Sequence, residues 1–261
     1  MKIEFLADDN PLYVLPFFEE FLRHYGHRFT TVRINLCPPM GRRSRVQLLK
    51  QLTALYGPAG MIRILSRLAL ARCLSLLPRE RYSTKFYTPA QLAKAHGIAC
   101  ERIDNPNADS FRAQLKERKT DLLISVACPF ILKAPLLDTP SKGCINIHHA
   151  PLPKYKGMMP TFWQLYHHER RVGVTIHYMS EAIDEGQALL QESLEVREGE
   201  TLDQLIRRTK IHGAHCMARA LEQIEKNEQR AFALDHTAGS YFSFPTLAQI
   251  TEFRRKGLRA I

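Results

Sequence analysis

Strand-like and helix-like segments alternate along most of this chain, and this alternation limits the fold more than any other feature of the sequence. Asp121–Ala127 is the clearest buried strand, because apolar residues dominate it. The same reasoning predicts strands at 2–7, 28–35, 98–103, 144–148, 174–179 and 188–194, and helices at 11–25, 61–72, 90–96, 109–118 and 201–227. Strands that alternate with helices predict an α/β fold, a mostly parallel sheet with helices on both faces.

A basic segment interrupts the alternation between about residues 38 and 86. Loops are predicted at Cys37–Gly41 and Gly57-Pro58, and helical spacing makes Met61–Arg72 an amphipathic helix. Ten basic residues lie here against one acid, Glu80: Arg42, Arg43, Arg45, Lys50, Arg63, Arg67, Arg72, Arg79, Arg81 and Lys85. This charge suits a phosphate-bearing partner, a nucleic acid or an anionic membrane surface, and a solvated helical insertion explains it equally well. The helix either packs on the domain or lies on a membrane or partner helix.

Missing motifs disfavour several classes of protein. No apolar run reaches the roughly 18 residues of a membrane span, and the N-terminal residues do not resemble a signal peptide, so we expect a cytoplasmic protein without a transmembrane segment. The first strand leads into Asp8-Asp9-Asn10-Pro11 rather than a glycine-rich phosphate loop, which counts against nicotinamide dehydrogenases and P-loop ATPases. The six cysteines are scattered without a Cys-x-x-Cys pair, so we expect neither a disulfide nor a bound metal.

Three polar residues are the best candidates for chemistry. Asn146 and His148 alternate along a predicted strand, so their side chains share one face at its carboxyl end. The residues that follow, rich in proline and glycine, predict an irregular loop that leaves this edge open. Asp184 lies in an Asp-x-Gly turn after the next long strand and can approach the same edge. An amide, an imidazole and a carboxylate that meet there would form a plausible acyl-transfer site, although each residue alone is more simply a cap or turn residue.

The stretches around these residues resemble a known family. Gly143–Pro160, Gly173–Met179 and Ile183–Gly186 contain Asn-Ile-His, Leu-Pro-x-Tyr-x-Gly, Gly-Val-Thr-Ile-His and Ile-Asp-x-Gly. This pattern is similar to that of the folate-dependent formyltransferases, which act on methionyl-tRNA, glycinamide ribonucleotide or amino sugars, and it covers roughly residues 120–225. The resemblance implies a Rossmann-like formyltransferase fold over residues 1–228, with the basic helical insertion at about 38–86 and a C-terminal extension at 229–261.

The resemblance also implies a role for each residue of the site. Asn146 and His148 would stabilise the negative charge on the formyl oxygen, and Asp184 would orient His148 and favour its imidazolium form, or hold a water that relays a proton. The donor, formyltetrahydrofolate, would bind largely through backbone groups at Phe130, Ile131, Leu132, Ser180, Glu181, Ala182 and Ile183. For the other histidines nearby, His149, His167, His168 and His177, we expect surface or packing roles, and for Trp163 a place in the core.

Two positions depart from the family pattern. Ala150 stands where the family usually has a serine, so we expect looser hydrogen bonding in the loop. Pro129 removes a backbone donor beside the expected pterin site. Both changes affect how the folate would be held rather than the chemistry itself.

The acceptor amine is the least determined part of the prediction. A small or nucleotide-linked amino sugar is the leading hypothesis. Methionyl-tRNA is the alternative, because the chain is basic, but those enzymes carry a second β-rich domain and only residues 229–261 follow the long helix here. Glycinamide ribonucleotide is disfavoured by the sequence after the first strand. A formyltetrahydrofolate hydrolase and a non-catalytic binder of RNA or membrane also remain, and the oligomeric state is left open.

Overall fold

The computed structural model describes residues 1–38, 45–80 and 83–261. The strands in chain order are β1 Lys2–Asp8, β2 Thr30–Cys37, β3 Ala99–Arg102, β4 Leu122–Val126, β5 Cys144–His148, β6 Lys156–Gly157, β7 Arg171–Tyr178, β8 Ala188–Glu195 and β9 Tyr241–Phe242. The helices are α1 Leu15–Tyr25, α2 Arg45–Leu74, α3 Pro89–Ala95, α4 Asp109–Arg118, α5 Ala134–Leu137, α6 Pro160–Tyr166, α7 Leu202–Lys226 and α8 Leu247–Arg255.

Seven strands form one sheet in the order β3-β2-β1-β4-β5-β7-β8. The pairs from β3 to β5 are parallel, and β7 and β8 are added in antiparallel fashion. The chain builds outward from β1 to β3 and then returns to place β4 on the other side of β1, so the strand order reverses between β1 and β4. In an open α/β sheet, ligands bind beyond the carboxyl ends of the strands at such a reversal.

Both faces of the sheet are covered, because apolar side chains alternate between two hydrophobic clusters. Phe5 and Ile124 pack on the side of α1 and α7, while Leu6 and Leu123 pack on the side of α4 and α5. The period of two along each strand accounts for this division. The predicted α/β class, with a mostly parallel sheet and helices on both faces, is therefore confirmed.

The basic segment folds largely into α2, which bends at Gly57 (φ 72°) where the sequence predicts a loop. Arg42, Arg43 and Arg81 lie outside the described residues, as do the side chain of Arg45 and part of the predicted loop at Cys37–Gly41. The helix packs against α8. Gln51 donates a hydrogen bond to the carbonyl of Pro245, just before α8, and Arg254 of α8 donates one to the carbonyl of Leu55 in α2.

The C-terminal residues pack onto the rest of the protein. β9 pairs with β6, and Ile250 and Phe253 of α8 enter a second core with Phe162 and Trp163 of α6. Trp163 is therefore a core residue, as expected. The division at residue 228 stays a prediction, although the two parts share this core.

The predicted elements match the structure with shifts at their ends. α1 begins at Leu15 rather than residue 11, and β7 begins at Arg171 rather than 174. The sequence predicts neither the short elements α5, α6, β6 and β9, which are too brief for periodicity to reveal them, nor the helix α8 in the C-terminal extension. All six cysteines are free thiols. Within the described ranges, no helix combines the length and apolar character that crossing a membrane requires.

Candidate active site

A cleft of about 480 Å³ opens at the carboxyl edge of the sheet, next to the point where the strand order reverses. Its lining includes Asp8 at the end of β1, Ser125 near the end of β4, and Asn146 and His148 of β5. The volume is in the usual range of sites for small molecules and cofactors, about 300–1,000 Å³. The cleft is therefore in the size range of a site for a small molecule.

The local fold of β5 presents two polar side chains to this cleft. Ile145 and Ile147 belong to the core on the α7 side, so the alternation of the strand directs Asn146 and His148 to the opposite face. The antiparallel neighbour β7 pairs with the same residues, and it places His177 directly opposite Asn146. The predicted common face of Asn146 and His148 agrees with this geometry.

Asp184 reaches the same cleft from the turn between β7 and β8. Its backbone is left-handed (φ 55°), a conformation that aspartate tolerates better than most residues. Its Oδ2 accepts a hydrogen bond from the Gly157 amide at 2.8 Å and lies 3.5 Å from His148 Nδ1. Its Oδ1 lies 3.7 Å from His177 Nε2. The structure thus brings together the three residues that the sequence singles out.

The second ring nitrogen of His148 is already occupied. Nε2 lies 2.8 Å from the Tyr155 carbonyl oxygen, which can only accept, so this nitrogen carries the proton. Nδ1 is then the nitrogen through which His148 can exchange a proton, and it faces Asp184. The carboxylate lies where it can stabilise a positive charge on the imidazole.

His177 belongs to the site, which the expected surface or packing role did not anticipate. Its Nδ1 donates to the Tyr178 carbonyl at 2.8 Å, so Nε2 accepts from Asn146 Nδ2 at 3.2 Å. Burial lowers the pKa of His177, and Asp184 opposes that shift. The ring is therefore neutral at pH 7 and fixes which way the Asn146 amide points. The family-like Gly-Val-Thr-Ile-His stretch contained this residue, but only the strand register reveals its contact.

The expected pterin side consists of two segments that face each other across the cleft. All seven predicted residues line it: Phe130, Ile131, Leu132, Ser180, Glu181, Ala182 and Ile183. The segments are held by side chains, since Asn107 Nδ2 donates to the Ile131 carbonyl at 2.9 Å and Glu181 Oε1 accepts from the Ala134 amide at 3.1 Å. These two bonds tie each segment to neighbouring residues, and the role of the seven residues in folate binding stays a prediction.

The loop after β5 is braced by residues other than Ala150. Thr175 Oγ1 donates to the Ala150 carbonyl at 2.7 Å and accepts from the Leu152 amide at 3.2 Å. Gln191 Nε2 donates to the Leu152 carbonyl at 2.7 Å. These bonds brace the loop on both sides of Pro151, and the looser hydrogen bonding expected at Ala150 stays a prediction. Pro129 lies in the cleft wall.

Three more polar side chains, Asp8, His149 and Lys210, form what we call the polar floor of the cleft. Among the described residues, Asp8 Oδ1 and both ring nitrogens of His149 have no hydrogen-bond partner. Burial raises the pKa of Asp8 to about 7 and lowers the pKa of Lys210 to about 8. Burial also lowers the pKa of His149, and the charge of Lys210 adds to that effect. Unpartnered buried groups of this kind are costly unless a ligand bonds to them.

A separate group of potential metal ligands lies between β8 and α7. Atoms of Glu192, His212 and Cys216 come within 4.8 Å of one another. The Glu192 carboxylate forms an ion pair with the guanidinium of Arg219, which neutralises its negative charge. The group therefore supports no metal assignment. His167 and His168 are exposed, in line with the surface role expected for them.

Comparison with known families agrees with this architecture. A model of the formyl transferase family matches residues 77–221, more than half of the 261 residues. The matched range contains Asn146, His148 and Asp184 as well as the expected pterin side. The chain belongs to the formyl transferase family.

Individual relatives differ in the acceptor that their names state. The chain is 32% identical over 149 residues to the methionyl-tRNA formyltransferase of Alkaliphilus oremlandii, covering 57% of this chain and 48% of that protein. The chain thus spans about half the length of the curated relatives it matches.

Two solved structures share the fold. Glycinamide ribonucleotide transformylase 1 of Symbiobacterium toebii has a TM-score of 0.59 at 19% identity, over 90% of this chain and 94% of that one. The N-formyltransferase of Helicobacter canadensis, solved with folinic acid and dTDP-3-aminofucose, has a TM-score of 0.57 at 16% identity, over 100% and 84%. At these identities the likeness extends to the fold alone.

Proposed function

We propose that this protein transfers a formyl group from formyltetrahydrofolate to the amine of a small or nucleotide-linked amino sugar. The observation that carries the proposal is the convergence of Asn146, His148 and Asp184 in one cleft, with His148 Nδ1 3.5 Å from Asp184 Oδ2. Membership of the formyl transferase family supports the type of reaction. The reduced folate supplies a formyl group bonded to nitrogen, and the residues of this chain bind, orient and move protons.

Asn146 is the donor suited to the formyl oxygen. One N–H of its amide is held by His177 Nε2, which leaves the other N–H for the oxygen on which negative charge develops as the amine attacks. A donor whose direction is fixed before the reaction does not have to reorganise during it. Removal of one such donor typically costs about 100- to 1,000-fold in turnover.

His148 and Asp184 provide the route for the proton. As the amine nitrogen bonds to the formyl carbon, the amine loses a proton to His148 Nδ1, with Asp184 stabilising the resulting charge. When the bond between the formyl carbon and the folate nitrogen breaks, the same proton passes to that nitrogen. Atoms and charge therefore balance without a further reactant. Because Nε2 is bonded to the Tyr155 carbonyl, the ring stays oriented throughout.

The polar floor supports an acceptor that carries hydroxyl groups. Asp8 can accept hydrogen bonds, Lys210 can donate them, and neutral His149 can do both. The mixture of a carboxylate and an ammonium suits a neutral polyol better than a phosphate, which Asp8 would repel. A sugar ring that bears the reacting amine fits this set of groups, and the fold shared with the Helicobacter canadensis enzyme is consistent with such an acceptor.

Charged tRNA is the second candidate, because the curated relatives are methionyl-tRNA formyltransferases. The formal net charge of +11 favours a polyanionic partner. Transfer to charged tRNA, with no transfer to any amino-sugar nucleotide, would reverse the order of the two acceptors.

The test is to incubate the protein with formyltetrahydrofolate and a panel of amines and to measure the release of free tetrahydrofolate. We expect His148→Ala to lower turnover by about a hundredfold or more, because it removes the proton relay. His27→Ala is the matched control, since His27 is exposed and remote in sequence from the site. Formate release without any amine would identify a hydrolase. Equal turnover by His148→Ala and the unmodified protein would reject the proposed mechanism.

A further inference from the structure

The second half of α2 is apolar on the side that faces the protein and also on the side that faces away from it. Met61, Ile64 and Ala71 are buried against the domain. Their neighbours Ile62 and Leu65 are 66% and 53% exposed. A helix that only covers a core has polar residues on its outer side, so this outer side needs another explanation.

The exposed apolar residues form a continuous line, which we call the outward stripe. Its members are Ile62, Leu65, Ala69, Cys73 and Leu76. Their spacing of three or four residues places them on one helical face, and the line continues past the end of the helix to Leu76, which is 85% exposed. Contiguous exposed apolar surface of this kind marks an interaction site more often than chance exposure.

The stripe does not result from loose packing of α2. Arg67, on the inner side, lies 3.5 Å from Asp203 of α7. Gln91 Nε2 donates to the carbonyls of Leu74 (3.2 Å) and Leu77 (2.7 Å), which satisfies the C-terminal end of the helix. The inner face is thus fixed to the domain, and the stripe is presented in a defined direction.

The charged residues of α2 beside the stripe are all basic. Arg63 and Arg72 are exposed on its two sides, roughly 120° and 60° from its centre around the helix. The sequence 45–74 contains no aspartate or glutamate. An aliphatic face flanked by arginines is the arrangement of helices that lie in the interface of an anionic membrane.

We propose that the outward stripe of α2 docks this protein on the surface of an anionic lipid bilayer. The helix lies parallel to the surface, with its aliphatic side chains among the lipid tails and Arg63 and Arg72 at the phosphates. Single-stranded RNA is disfavoured because its bases stack on aromatic side chains, and the stripe has none. A second copy of the chain is disfavoured because a twofold contact would bring arginines together without an acid on the same helix.

The inference goes beyond the proposed enzymatic function and is tested without it. Full-length protein is mixed with vesicles rich in phosphatidylglycerol or with vesicles of phosphatidylcholine alone, and the bound fraction is measured by flotation. We expect binding to the anionic vesicles only, weakened by salt. Leu65→Glu with Leu76→Glu should abolish it, and Arg63→Gln with Arg72→Gln should weaken it by roughly 25-fold, about fivefold for each arginine.

Leu247→Glu is the matched control, because Leu247 is an exposed leucine of α8 outside the stripe. It should bind vesicles as the unmodified protein does. An environment-sensitive dye on Cys73, the exposed thiol within the stripe, should shift to the blue with anionic vesicles. No flotation and no dye shift, or a soluble dimer abolished by Leu65→Glu, or salt-sensitive RNA binding without vesicle binding, would each overturn the proposal.

Discussion

The polar floor of the cleft and the outward stripe of α2 are opposite exceptions to the usual distribution of side chains. The floor places polar groups inside the protein, and the stripe places apolar groups on its surface. At the floor, His149 and Lys210 are buried and Asp8 is partly buried, and Asp8 Oδ1 and both ring nitrogens of His149 have no hydrogen-bond partner among the described residues. At the stripe, Ile62 and Leu65 face solvent although the same helix buries Ile64. The floor costs desolvation free energy in the folded protein, whereas the stripe costs almost nothing until the protein aggregates or binds.

The difference indicates what each region is for. A buried unpaired group destabilises the native state unless something bonds to it, and a ligand bound in the cleft would do so at the floor. An exposed aliphatic group leaves the native state unchanged and forgoes the free energy that its burial would give. Substitutions in the two regions should therefore have different effects. Those in the floor should change both stability and acceptor binding, and those in the stripe should change neither.

Lys210→Met should give the largest change in stability. Burial lowers the pKa of Lys210 from 10.5 to about 8, which corresponds to roughly 3 kcal/mol against the charged form in the folded state. Because the folded pKa is the lower one, this cost is complete below about pH 8 and disappears as the pH rises toward the unfolded value. We expect the variant to gain about 3 kcal/mol in unfolding free energy near pH 6 and little near pH 10, measured by urea denaturation.

The same variant should bind the acceptor more weakly, with KM for the acceptor raised about tenfold and KM for the folate unchanged. Measurement near pH 6 keeps Asp8, whose pKa is about 7, mostly neutral, so the loss of its cationic neighbour has little effect. A variant that is less stable than the unmodified protein near pH 6 would mean that Lys210 is a structural residue. That result would contradict the interpretation of the polar floor as a ligand site.

Much of the fold and the central residues of the site could be predicted from the sequence. Asp121–Ala127 and Cys144–His148 are short apolar strands whose ends carry the chemistry, and the resemblance that included Asp184 was specific. The strand order put Asn146 and His148 at the cleft as expected. Local patterns of this kind are readable because burial and alternation act over a few residues.

The remaining features depend on contacts between distant segments. His177 is opposite Asn146 only because of the register of β5 with β7, and Lys210 reaches the cleft only because of how α7 crosses the sheet. The direction of Ile62 and Leu65 depends on which side of α2 packs on the domain. The sequence showed an amphipathic helix, but not that its arginine-flanked outer side is itself aliphatic.

His177→Leu tests the orientation of Asn146 and should have an intermediate effect. Without Nε2 as an acceptor, the Asn146 amide can rotate away from the formyl oxygen, and we expect kcat to fall about tenfold with little change in KM. His177→Gln keeps an acceptor and should restore much of the loss. Thermal unfolding of both variants is the control for folding.

A purely structural role for His177 would lower stability in both variants and would not separate kcat from KM. Because burial lowers the pKa of His177, the ring remains an acceptor well below its ordinary titration range. The unmodified protein should therefore keep this contact at mildly acidic pH. Equal losses of kcat in His177→Leu and His177→Gln would contradict the assignment of His177 as a positioning residue.

The smallest effect is expected from Leu65→Ala, and the neighbouring Ile64→Ala makes it informative. Ile64 is 8% exposed and packs on the domain, so its truncation should cost about 2 kcal/mol or more through lost burial and the cavity left behind. Leu65 already faces solvent, so Leu65→Ala should change the unfolding free energy by less than about 0.5 kcal/mol and leave turnover intact. Urea denaturation of the pair measures both. If Leu65→Ala were as destabilising as Ile64→Ala, the stripe would be covered by the protein itself or by a second copy, and the contrast between the two sides of α2 would not exist in solution.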